Sequence, residues 1–90
     1  MTLRILDAGD TALTIEFGDG VDRRLLAAVA ALDAALAQAV EDGRLPGIVE
    51  TVPTFRSLTV IYDPQRTTRA AIEPVIHSLI DASSAARSPA

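Results

Sequence analysis

The stretch from Val21 to Asp42 sets the terms for the rest of this chain. It is Ala-rich and helix-favouring, and it places Leu25, Val29, Leu32, Leu36 and Val40 at steps of three and four. That spacing draws one apolar stripe along a helix. At ~1.5 Å per residue the helix would span about 33 Å. Ala27, Ala28, Ala31, Ala34, Ala35 and Ala39 keep much of its remaining surface smooth, which suits close packing on a sheet. Gly43 supplies a C-terminal stop, and Pro46 prevents the helix from resuming. Upstream, Gly18-Asp19-Gly20 breaks the chain, and Asp19 or Asp22 is the expected N-cap.

The segments around this helix read as strands. Thr2–Leu6 is a short apolar strand, and Asp7-Ala8-Gly9-Asp10 is a turn. Leu13, Ile15 and Phe17 then alternate with Ala12, Thr14 and Glu16, the period of a half-buried strand. Ile48–Val52 is a third strand and Ser57–Tyr62 a fourth, with Leu58, Val60 and Tyr62 on one face. The short Pro53–Arg56 connection predicts a second hairpin.

A second helix follows, capped by Thr67 or Thr68. Ile72, Val75, Ile76, Leu79 and Ile80 match the helical template throughout. Pro74 would cost ~3 kcal/mol in a helix interior, so the regular helix is expected to start near Glu73. Residues 1–81 are expected to form the domain and 82–90 a flexible tail. The element order is therefore ββαββα, an α+β chain. Its economical packing is a four-stranded antiparallel sheet with two helices on one face. The other face is left open or covered by a partner.

Composition narrows the function. At 90 residues there is room for one core, and a domain of this size buries only roughly 60–65% of its unfolded surface. Its stability margin is thin, so a partner would help it. The hydrophobic fraction of 49% suffices for a core, but aromatics are 3%, so Ala, Leu, Ile and Val must build it. The net charge of −4 and the scattered arginines argue against nucleic-acid binding. Cysteine is absent, which removes disulfides, thiol nucleophiles and cysteine zinc sites. No apolar run approaches the ~20 residues of a membrane span, and the N-terminus lacks a signal-peptide layout. The expected location is the cytoplasm.

Candidate chemical groups are sparse. His77 is the only histidine; it sits among apolar helix positions with no orienting partner in view. It reads as an ordinary, partly exposed side chain. Asp7, Asp10, Glu16 and Asp19 surround the first hairpin, but their spacing matches no calcium loop. They read better as turn formers, a helix cap and a solvated strand residue. Gly18-Asp19-Gly20 lacks the glycine spacing and the Lys of a phosphate loop. The turn Thr54-Phe55-Arg56-Ser57 combines an aromatic, a guanidinium and two hydroxyls at one hairpin tip. Turn chemistry explains much of it, and a contact role for the Arg fork stands beside that reading. No cofactor or metal site is expected in this domain.

Two stretches carry a family resemblance. Leu3 to Gly18 contains AGDTALTIEFG, and Leu45 to Pro64 contains PGIVETVPTFRSLTVIYDP. Both resemble the N-terminal domain of a bacterial family known under several names: allophanate hydrolase subunit 1, the B-type component of 5-oxoprolinase, and Kip-type kinase inhibitor (carboxyltransferase subdomain C). The resemblance spans nearly Leu3 to Ile80. It implies a two-layer, DCoH-like ββαββα fold. It further implies a non-catalytic domain of an allophanate hydrolase or ATP-dependent 5-oxoprolinase assembly, a hydrolase of amide or cyclic amide bonds. The implied partner is a companion carboxyltransferase-like subunit or a cyclophilin-like β-barrel domain. ATP enters only with the full assembly. Two alternatives stand beside this: inhibition of a sensor histidine kinase, and a self-associating (homodimeric) small-ligand module. The motif positions Asp10, Glu50, Thr54, Phe55, Arg56 and Ser57 are the candidate contact residues, and no catalytic role is implied for them.

Overall fold

A computed structural model of the chain describes residues 3–18 and 23–87. The expected caps Asp19 and Asp22 lie outside these residues. In chain order the elements are β1 (Arg4–Asp7), β2 (Ala12–Glu16), α1 (Arg23–Glu41), β3 (Ile48–Pro53), β4 (Ser57–Tyr62) and α2 (Arg69–Arg87). The order is the expected ββαββα.

The strands form one antiparallel sheet in the order β1-β2-β4-β3. β4 therefore lies inside, between β2 and its own hairpin partner β3. The reason is in the side chains. β2 and β4 bury Leu13, Ile15, Leu58 and Val60 completely, so these two strands belong at the centre. Arg4–Asp7 and Ile48–Pro53 carry charge, a proline and exposed valines, which suit edges. β3 also shifts register between Ile48 and Glu50, which exposes Val49.

Both helices pack on the same sheet face. One core cluster joins Leu13, Ile15 and Phe17 to Leu58, Val60 and Tyr62, then to Val29, Leu32 and Leu36 of α1 and Ile72, Ile76 and Leu79 of α2. Helix α1 differs from its sequence reading in one respect. Ala39 is fully buried and Val40 is exposed. At 3.6 residues per turn the stripe drifts, and the small Ala lets the helix end approach the core. The helix closes as a Schellman motif: Gly43, at φ +77°, donates to the Val40 carbonyl at 3.1 Å, and Arg44 donates to that of Ala39 at 2.9 Å.

Helix α2 corrects one expectation, the place of Pro74. It begins at Arg69, with the Thr68 hydroxyl accepting from the Ala71 N–H at 3.2 Å, so Pro74 lies inside the helix rather than in its first turn. Pro74 and Ala70 are both on the exposed side, so the Ala70 carbonyl that loses its donor can be met by water. The helix also runs past Asp81 to Arg87, so the expected domain boundary falls within it. Residues 88–90 lie outside the described residues.

Candidate functional site

The second hairpin tip is held by its own hydroxyls. Thr54 N–H donates to the Ser57 carbonyl at 2.8 Å, Ser57 N–H donates to Thr54 Oγ1 at 3.0 Å, and the two hydroxyls share a 2.7 Å hydrogen bond. Arg56 N–H leans on the same Oγ1 at 3.4 Å. A threonine that accepts from the residues two and three ahead is a side-chain-closed turn. Thr54 and Ser57 are thus turn builders. The tip is also tied to the sheet centre, because Phe17 N–H donates to the Arg56 carbonyl at 2.8 Å. Phe55, by contrast, is 67% exposed on this well-held loop. An aromatic ring displayed on a braced turn makes a contact anchor at low entropic cost.

The six candidate positions do not form one cluster. Thr54, Phe55, Arg56 and Ser57 share the tip. Glu50 pairs with Ile61, and Asp10 sits in the turn before Ala12, whose partner is also Ile61. Ser57 pairs with Glu16 at the far end of β2. Asp10 and Glu50 therefore lie towards one end of the sheet, on different strands, and the tip lies at the other. The register therefore places the six positions in two groups rather than in one compact cluster.

Acidic residues around the first hairpin also separate. Asp7 is not only a turn former: it accepts from Arg69 Nη1 at 2.6 Å. Glu16 is not simply solvated: its carboxylate lies 3.4 Å from Arg4 Nε across the strand pair. Arg69 also donates from Nη2 to the Ile5 carbonyl at 2.8 Å and meets Glu73 at 3.4 Å. The hydrogen bond to Asp7, then that to Glu73, holds the Arg69 pKa above its ordinary value. Asp7 and Arg69 are distant in sequence, so nothing local announced this pair; only Arg69 and Glu73, one helical turn apart, were legible. Among the described residues no three His, Asp or Glu side chains converge as metal ligands. His77 is exposed on α2.

One link escaped sequence reasoning altogether. Thr51 Oγ1 on β3 donates to Asp33 Oδ1 on α1 at 2.5 Å. An acid set among alanines on the helix was the only available signal. Across the open sheet face, Thr14 and Thr59 share a hydroxyl hydrogen bond at 3.0 Å. No helix among the described residues is long and apolar enough to cross a membrane.

The fold and these surfaces define a two-layer α+β module with an exposed aromatic on a braced hairpin tip. The chain belongs to the carboxyltransferase domain family, subdomain C and D, whose family model matches residues 3–90. It is 38% identical over 65 residues to the B-type component of 5-oxoprolinase from Bacillus subtilis, covering 70% of this chain and 25% of that protein. Among solved structures it is similar to the uncharacterized protein PH0987 of Pyrococcus horikoshii, at 33% identity and a TM-score of 0.69. That match covers 87% of this chain and 34% of the other. It is also similar to the N-terminal domain of the histidine kinase inhibitor KipI of Bacillus subtilis, at 27% identity and a TM-score of 0.66, covering 90% and 88%. The chain thus spans about a quarter of the curated relative and a third of the Pyrococcus protein.

Proposed function

We propose that this chain is a non-catalytic domain of an allophanate hydrolase or ATP-dependent 5-oxoprolinase-type subunit, acting in the cytoplasm by association with a companion subunit or domain. What supports the reading is the likeness to one quarter of the B-type 5-oxoprolinase component. The observation that carries it structurally is Phe55, two-thirds exposed on a tip braced by Thr54, Ser57 and the Phe17–Arg56 hydrogen bond. Chemistry on the amide substrate, and any use of ATP, would belong to the other components. The test is co-expression with the companion carboxyltransferase-like subunit, followed by size-exclusion chromatography. Co-elution, weakened by Phe55→Ala, is expected; separate elution of the wild-type chain overturns the reading.

A second reading has its own support. The KipI N-terminal domain is matched over 88% of its length. On this reading the chain binds a sensor histidine kinase and lowers its autophosphorylation. Unchanged autophosphorylation in the presence of excess chain removes it.

A further inference from the structure

The two edges of the sheet are treated differently. Backbone groups in an antiparallel ladder alternate between facing the partner strand and facing outwards. Ala8 N–H bonds the Ala12 carbonyl, so by alternation Ile5 and Asp7 face out from β1. That edge is guarded: Arg69 donates to the Ile5 carbonyl and is locked there by Asp7 and Glu73. On β3 the Thr54–Ser57 bond sets the phase, so Thr51 N–H and C=O face away from β4. Pro53, which also faces out, has no N–H, and the register shift falls at Val49, so this edge offers its regular outward-facing N–H and C=O pair at Thr51.

Apolar exposure gathers on the same flank. Large hydrophobic side chains stand exposed at Leu6, Leu26, Val40, Val49, Val52 and Phe55, and only Leu6 belongs to the guarded edge strand. Val49, Val52 and Phe55 follow β3 into its hairpin, and Val49 is 64% exposed. Leu26 and Val40 stand two helical turns on either side of Asp33, the residue bonded to Thr51. Ala30 and Ala37, also exposed, fill that line and leave nothing to hold a neighbour away. Thr51 points to α1 and Val52, its neighbour, to the opposite sheet face beside Thr59, so the β3 edge has the Leu26–Val40 line on one side and Val52 on the other. A helix apolar on both sides is ordinarily a covered one.

Charge selects the occupant. Asp33 and Glu50 lie on this flank, and the sequence has no Lys or Arg between Arg24 and Arg44 or between Arg44 and Arg56. A second copy pairing about Thr51 would set Asp33 against its own symmetry mate, a like-charge contact. We propose that β3 is a strand-addition edge: an extended segment of the companion protein pairs with Thr51, lays apolar side chains on Val49, Val52 and the Leu26–Val40 line, and brings a Lys or Arg to Asp33 or Glu50. This rests on the association reading above and names its surface and chemistry.

The experiment uses the chain co-purified with its companion carboxyltransferase-like subunit. Val49→Lys with Val52→Lys is expected to weaken association at least ~10-fold without lowering the melting temperature, since both side chains are solvent-facing. Leu6→Lys, on the guarded side, is expected to leave association unchanged. Exchange of the Thr51 amide proton is expected to slow at least ~10-fold in the complex. Wild-type association by the Val49/Val52 variant, or an unslowed Thr51 amide in the complex, overturns the inference and leaves the association reading standing. A homodimer of the chain alone that the same variant dissociates overturns the choice of occupant. Failure of the wild-type chain to associate sinks the parent reading instead.

Discussion

Thr51 on β3 donates its hydroxyl to the carboxylate of Asp33 on α1 at 2.5 Å, and this bond pins the helix to an edge strand. A charge-assisted bond in a half-buried place is worth more than a surface ion pair. Thr51→Val keeps the shape and removes the donor, so it is expected to cost about 1–2 kcal/mol. In a double-mutant cycle with Asp33→Ala the coupling is expected to be about 0.5–1.5 kcal/mol by denaturant unfolding. Strict additivity would show that the bond contributes nothing net.

Gly47 occupies φ +91°, and a Cβ there would sit 2.9 Å from Thr67 Cγ2 and 3.1 Å from Arg66 Cβ. Strain and overlap add. Gly47→Ala is expected to destabilise the fold by about 1–3 kcal/mol. A melting temperature within error of wild type would mean that the loop between α1 and β3 yields freely.

Pro74 interrupts α2 from the inside, leaving the Ala70 carbonyl without its helical donor. Restoring that donor with Pro74→Ala is expected to stabilise the protein by about 1–3 kcal/mol. A lower melting temperature would instead assign Pro74 a dominant effect on the unfolded chain.

Arg69 joins α2 to β1, so Arg69→Ala is expected to lower the melting temperature and Arg69→Lys to recover part of the loss. The sign of the pH dependence follows from its raised pKa. A cation whose folded pKa is raised stabilises at all pH values below its unfolded pKa and loses that contribution only as pH climbs through the folded one. Both lie above the usual working range. The melting-temperature gap between wild type and Arg69→Ala should thus stay level from about pH 7 to 10. A gap that closes within that interval would place the interaction elsewhere.

Much of the fold was legible because it follows from short-range periodicity. Leu13, Ile15, Leu58 and Val60 alternate in sequence and are all fully buried. The Ile72–Ile76–Leu79 stripe and the Thr68 cap fell where helical spacing put them. Pro74 was misplaced because its local penalty was weighed without the exposed setting that eases it. The candidate site was legible only in part. Its hairpin tip was visible as a turn, but a run of residues in one motif does not reveal that Asp10 and the tip stand at opposite ends of β2.

The sequence by itself determined the order of strands, helices and turns, and which faces are apolar, because those depend on neighbours a few residues apart. Only the tertiary structure decided that β4 sits beside β2, that Arg69 closes one edge, and that the exposed side chains of β3 and of the Leu26–Val40 line border the other edge. These relationships join groups far apart along the chain. They are set by how one buried face is shared between two helices, a condition on the whole domain rather than on any window of it.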